Sequence, residues 1–109
     1  FDLILLGMGS DGHTASLFPG PIPPEETQTP VMAVTADYDG RPAQRITLTP
    51  LVINDARHVL FLVAGANKRE ALTAVRFSPL NPEKWPAQRI APHNGTLTWL
   101  VDTAAAGRK

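Results

Sequence analysis

Apolar residues in this chain fall into short unbroken runs separated by glycine and proline. Leu3 to Leu6 ends at Gly7, and His58 to Ala64 ends at Gly65. Both runs are too short for a helix to bury a stripe, and they suit strands of a parallel sheet covered on both faces. Val31 to Thr35 and Arg45 to Thr49 read as two further strands. Between them Asp37-Tyr-Asp-Gly-Arg-Pro is rich in turn residues, and Gly40 and Pro42 discourage regular pairing. A last strand, Thr96 to Asp102 with Trp99 inside, follows the Asn94-Gly95 turn.

The helical pattern is weaker. Thr14 to Phe18 allows about one and a half turns with Ser10 or Asp11 as N-cap. Pro19, Gly20, Pro21, Pro23 and Pro24 then end it and leave an irregular segment up to Pro30. Thr49-Pro50 is a cap followed by proline in the first turn, with Leu51, Val52, Ile53 and Ala56 as the buried side of a helix reaching Arg57. Asn67 to Phe77 carries Ala71, Leu72 and Val75 on one face. Prolines at 79, 82, 86 and 92 make Ser78 to Asn94 mostly loop, and Thr103-Ala-Ala-Ala starts a terminal helix. Strands alternating with helices predict an α/β architecture around a mainly parallel sheet flanked by helices, and not an all-β sandwich.

Composition narrows the partners. A chain of 109 residues fits one core, burying roughly two-thirds of its unfolded surface. Ten acidic against ten basic residues give no field for a polyanion, so no nucleic-acid partner is expected. Trp85 and Trp99 read as packing residues. Arg57, Arg76, Lys84, Arg89, Arg108 and Lys109 read as solvated. With no cysteine, disulfides and thiolate metal sites are excluded, which is compatible with a cytoplasmic location. The apolar runs are far below the ~20 residues of a membrane-spanning helix, so no membrane partner is expected. A start at Phe1, on the edge of a strand, reads as part of a longer chain.

The first loop, Gly7-Met-Gly-Ser-Asp-Gly-His13, holds the candidate chemistry. Gly7, Gly9 and Gly12 spell G-x-G-x-x-G after a strand, which opens a dinucleotide reading with Asp37 as ribose ligand. Ser10 lies one residue from a nucleophile-elbow pattern, with Asp55 and His58 or His93 as triad partners. A third reading starts from His13, at the ligand-binding edge of a parallel sheet, where an imidazole exchanges protons near neutrality and Asp11 can fix its tautomer. Backbone N–H groups of the glycine turn are candidates for holding an oxyanion. Against these stands a plainer reading, with Asp11 a helix cap and His13 an exposed polar residue. Lys68, after Gly65, and Arg45, leading Ile46-Thr-Leu-Thr, can hold an anion; surface pairing, for Arg45 with Asp37 or Asp39, is the alternative. His58 and His93 lack a metal-ligand spacing.

The stretch LLGMGSDGHTASLFPG, residues 5 to 20, closely resembles the signature of the 6-phosphogluconolactonases, a family related to the glucosamine-6-phosphate deaminase/isomerases. Residues 45 to 72 and 97 to 106 resemble the same family. The deaminase branch carries Asn-Glu-Pro soon after its histidine, where this chain has Thr14-Ala-Ser-Leu-Phe-Pro19, which favours the lactonase branch. The resemblance implies a Rossmann-like sheet, with residues 1 to 109 as the C-terminal portion of a larger lactonase domain. It also implies hydrolysis of 6-phospho-D-glucono-1,5-lactone in the pentose phosphate pathway, without cofactor or metal. In that reading His13, with Asp11, is the general acid or base, Lys68 and Arg45 bind the sugar phosphate, and Gly9 and Ser10 line the substrate site.

Overall fold

The computed structural model describes residues 1–38 and 40–107, with the side chains at 37, 38, 41 and 42 outside that description. In chain order the elements are β1 (Leu3–Leu6), α1 (Glu25–Gln28), β2 (Val31–Tyr38), β3 (Arg41–Leu48), α2 (Pro50–Ile53), β4 (His58–Val63), α3 (Arg69–Phe77), β5 (Thr96–Val101) and α4 (Thr103–Ala106). Ala66–Lys68 and Pro86–Arg89 form 3₁₀ turns.

The aliphatic runs pair as parallel strands in the order β1-β4-β5, with Leu3 opposite His58 and Val59 opposite Leu97. Side chains alternate along a strand, so the register sorts them into two faces. Ile4, Val59, Phe61 and Val63 are buried together with Ile53, Ala71, Leu72, Val75 and Ala105 from the helices. Trp99 stacks on Phe61 at 4.1 Å between ring centroids, which confirms its packing role. Full burial of side chains such as Phe61 contributes ~1.5–3 kcal/mol each. The opposite face is not covered as expected: Leu3, Leu5, Leu62 and Leu100 are each 50–58% exposed. An unbroken aliphatic run records that both faces are apolar, not that a neighbour is present to bury both.

Four local expectations are corrected. No helix forms at 14–18: Thr14 Oγ1 donates to Gly7 O at 2.7 Å, Ala15 takes φ 50°, and Thr14 bridges Leu17. One residue in the left-handed region is enough to stop a right-handed helix. The irregular segment instead contains α1, one turn long. The strands β2 and β3 are longer than expected and form an antiparallel hairpin from Val31↔Leu48 to Tyr38↔Arg41. Pro42 pairs with Asp37 in this ladder and is tolerated there because the two-stranded sheet has only edges. Finally, α2 stops at Ile53, where the backbone tightens into three-residue turns with Asp55 N donating to Val52 O at 3.1 Å and Ala56 N to Ile53 O at 3.2 Å; the Asn54 side chain there donates to Arg89 O at 3.0 Å and accepts from Ala91 N at 2.7 Å.

Candidate active site

Parallel neighbours release their trailing loops at the same sheet edge, and β1 and β4 do so here. After β1 the chain closes a tight loop in which Gly9 N donates to His13 O at 2.8 Å and Gly12 N to Gly9 O at 2.9 Å. Inside it, Asp11 Oδ1 accepts from His13 N at 3.0 Å and lies 2.6 Å from His13 Nδ1. The ring of Phe18 lies beside the imidazole, with centroids 5.0 Å apart. His13 is partly exposed toward an open cavity of about 400 Å³ lined by Gly7, Met8, Gly9, His13, Thr14, Ala15 and Lys68. That volume lies in the range of small-molecule sites.

Burial alone would raise the Asp11 carboxyl. Hydrogen bonds from the His13 N–H and ring, with the attraction of that ring when charged, outweigh it and hold Asp11 below its usual value. A carboxylate only accepts, so Nδ1 is the ring nitrogen that donates to Asp11, and in the neutral imidazole Nε2 is the one left with a lone pair. The arrangement supplies a proton acceptor of fixed tautomer. The N–H groups of Gly9, Gly12 and His13 are engaged within the loop, which removes them from the expected oxyanion role.

Lys68 reaches the same cavity from the loop after β4. Its Nζ donates to Met8 O at 2.7 Å, leaving two ammonium protons for another acceptor. It lies in the 3₁₀ turn just ahead of α3, one residue short of the helix expected to carry it. The turn is held by Asp102 at the end of β5, whose carboxylate accepts from Ala105 N at 2.8 Å and from Gly65 N at 3.1 Å. These bonds, Ala105 first and Gly65 second, keep the Asp102 carboxyl below its ordinary 3.8. A carboxyl depressed in the folded state stabilises above the unfolded value and loses that contribution as pH falls through the folded one. Asp102→Asn is therefore expected to lower the urea midpoint at neutral pH, with the gap to the parent closing as pH drops below 3.8. A gap of equal size at both ends would assign the effect to something other than the carboxylate.

The remaining candidates separate. Ser10 is exposed at the loop tip and does not line the cavity. No helix follows to make a nucleophile elbow or to cap, and His58 lies at the opposite end of its strand, bonded to Thr96 Oγ1 at 2.7 Å. The G-x-G-x-x-G reading loses its helix N-terminus for the same reason, while Asp37, its ribose ligand, has its side chain outside the described residues. Arg45 sits on exposed β3, two residues from Thr47, whose hydroxyl accepts from Ser16 N at 3.1 Å. Alternation puts Arg45 and Thr47 on one face of the hairpin, although Arg45 is not among the cavity residues. Its alternative partners Asp37 and Asp39 lie outside the described side chains, as do Arg108 and Lys109. Among the described residues no three His, Asp or Glu side chains gather to hold a metal, and no helix is long and apolar enough to cross a membrane.

Arg89 is the clearest correction. Expected to be solvated, it is 9% exposed and pairs with the buried Glu26 at 2.7 Å. Neither residue stood out in the sequence, because a lone arginine and a glutamate 63 positions away give no local signal of pairing.

Residues 1–99 match the family model described as glucosamine-6-phosphate isomerases/6-phosphogluconolactonase. The chain is 48% identical over 105 residues to a 6-phosphogluconolactonase of Synechocystis, covering 96% of this chain and 42% of that protein. The solved 6-phosphogluconolactonase of Trypanosoma brucei superposes with a TM-score of 0.80 at 32% identity, over 98% of this chain and 41% of the other. A monomeric glucosamine-6-phosphate deaminase shares the fold, with a TM-score of 0.78 at 24% identity over 99% of this chain and 48% of that one. The chain thus spans less than half the length of these relatives. Because the match takes in residues 1–99 of 109, with β1, β4, the first four residues of β5 and both loops at the cavity, the chain belongs to the glucosamine-6-phosphate isomerase/6-phosphogluconolactonase family.

Proposed function

We propose that this chain carries the proton-transfer part of a 6-phosphogluconolactonase, which hydrolyses 6-phospho-D-glucono-1,5-lactone to 6-phosphogluconate as part of a protein of family length. The observation that carries the reading is the His13–Asp11 pair at 2.6 Å, opening on the cavity that Lys68 also lines.

His13 Nε2 takes a proton from water as the water oxygen attacks C1. The bond from C1 to the ring oxygen then breaks, and the imidazolium returns the proton to that oxygen. Asp11 holds the ring and stabilises the transient imidazolium. Lys68 anchors the phosphate through its two remaining protons, and Arg45, on the face of β3 that Thr47 ties to the loop, is assigned as a second phosphate ligand. Binding energy at the remote phosphate then orients the carbonyl against the water. Gly9 forms backbone wall at the cavity.

The test is steady-state kinetics of a family-length protein carrying these residues, with fresh lactone and spontaneous opening subtracted. Turnover of the lactone is expected. Ammonia release from glucosamine 6-phosphate would mark a deaminase, and sugar-phosphate binding without turnover a binding module; either would overturn the reading. Lys68→Met is expected to raise KM about 10- to 100-fold with a smaller change in kcat, since a hydrogen bond to a charged group is worth ~1.5–3 kcal/mol.

A further inference from the structure

One 3₁₀ turn, Pro86–Arg89, holds the chain on both sides of His13, at Gly12 and at Phe18 and Gly20. Ala87 N donates to Gly12 O at 2.9 Å, one residue before His13. Arg89 Nη2 donates to Phe18 O at 3.1 Å and to Gly20 O at 3.4 Å, and Phe18 is the residue whose ring lies against the imidazole. The same guanidinium donates from Nε to Pro82 O at 2.8 Å and from Nη1 to Glu26 Oε2 at 2.7 Å. Asn54 fastens the turn to the end of α2 through Arg89 O.

This ion pair is poorly explained as a stability device. Both side chains are at least 96% buried, and Glu26 Oε1 has no hydrogen-bond partner among the described residues. Desolvation raises the Glu26 carboxyl in spite of the arginine beside it. Buried pairs of this kind are often matched or exceeded in stability by apolar residues of similar volume. A planar fork with four directed bonds does something an apolar residue does not: it fixes where three chain segments sit relative to one another.

We infer that Arg89, held by Glu26, is a positioning residue for His13, setting the backbone at Phe18 and through its ring the orientation of the imidazole. The inference rests on the reading of His13 as the proton carrier. Glu26 keeps the guanidinium from swinging away, Arg89 holds the Phe18 and Gly20 carbonyls, and Ala87 steadies Gly12 from the same turn.

The test uses a family-length protein and two variants. Arg89→Lys keeps a cation for Glu26, but a single ammonium does not span the acceptors at Pro82, Phe18 and Gly20. The double variant Glu26→Leu with Arg89→Met removes both charges and leaves an apolar filling, so the fold survives loss of the pair. Each is expected to lower kcat about tenfold with KM unchanged, since small misplacements of a reacting group carry such losses. Each is also expected to shift the His13 imidazole resonances in NMR spectra, as the Phe18 ring moves. A merely structural role would lower the denaturation midpoint while leaving kcat, measured well below it, and the His13 resonances at parental values; that result overturns the inference. If the parent itself shows no lactone turnover, the functional reading fails and the His13 resonances alone decide the positioning role.

Discussion

His13→Ala is expected to lower kcat for the lactone by ~10²–10⁴ with KM changed little, in line with removal of a general acid–base group. The expectation follows from what the side chain contacts. Nδ1 is engaged with Asp11, so the ring has one nitrogen for substrate chemistry, and the ring itself stands in the cavity wall. A residue that only bound substrate would give the opposite split, a higher KM at constant kcat. Asp11→Asn separates orientation from charge. Its side-chain amide can still accept a hydrogen bond from His13 Nδ1, but without the carboxylate it no longer favours the imidazolium, so a smaller loss than for His13→Ala is expected. The assay is initial-rate kinetics with the uncatalysed opening subtracted at each pH. Parental kcat in His13→Ala would end the assignment.

The strands of the parallel sheet and the cavity loop were legible in the sequence because each is a local pattern. An aliphatic run closed by glycine names a strand, and Asp11 and His13 two residues apart can meet without help from elsewhere. What was hidden depends on contacts distant in sequence or on a single dihedral. The helix expected at 14–18 fails because Thr14 finds an acceptor at Gly7 O and Ala15 flips to positive φ. The burial of Arg89 requires Glu26, from a proline-rich segment whose composition signals only irregular chain, and carbonyls at Phe18, Gly20 and Pro82. Arg45 shows an intermediate case. Its strand was legible, but that strand belongs to a two-stranded sheet of its own, so whether Arg45 would line the cavity was not. The meeting of Lys68 with the first loop followed from topology, since adjacent parallel strands deliver their loops to one edge.

Gly9→Ala carries the second large expected effect, about a hundredfold loss of kcat with little change in stability. A Cβ at Gly9 would overlap His13 Nδ1 and Cε1 and come within 2.8 Å of Asp11 Oδ1. The backbone has no room to withdraw, because Gly9 N and Gly9 O both close the loop, to His13 O and from Gly12 N. Gly9 is not among the glycines of positive φ, so alanine is compatible with the backbone itself. The strain therefore falls on the imidazole, which has exposed space to move into, and not on the core. Chemical denaturation should show a midpoint near the parent's, while kinetics show the loss. Combining the change with His13→Ala sharpens the test: once the ring is gone the extra methyl meets only the Asp11 carboxylate, which then has no imidazole to orient, so the double variant should be no slower than His13→Ala alone. Losses that multiply would mean that Gly9 acts on catalysis by a route other than the imidazole, and parental kcat in the single variant would mean that the ring tolerates displacement, leaving the His13–Asp11 geometry without the importance assigned to it.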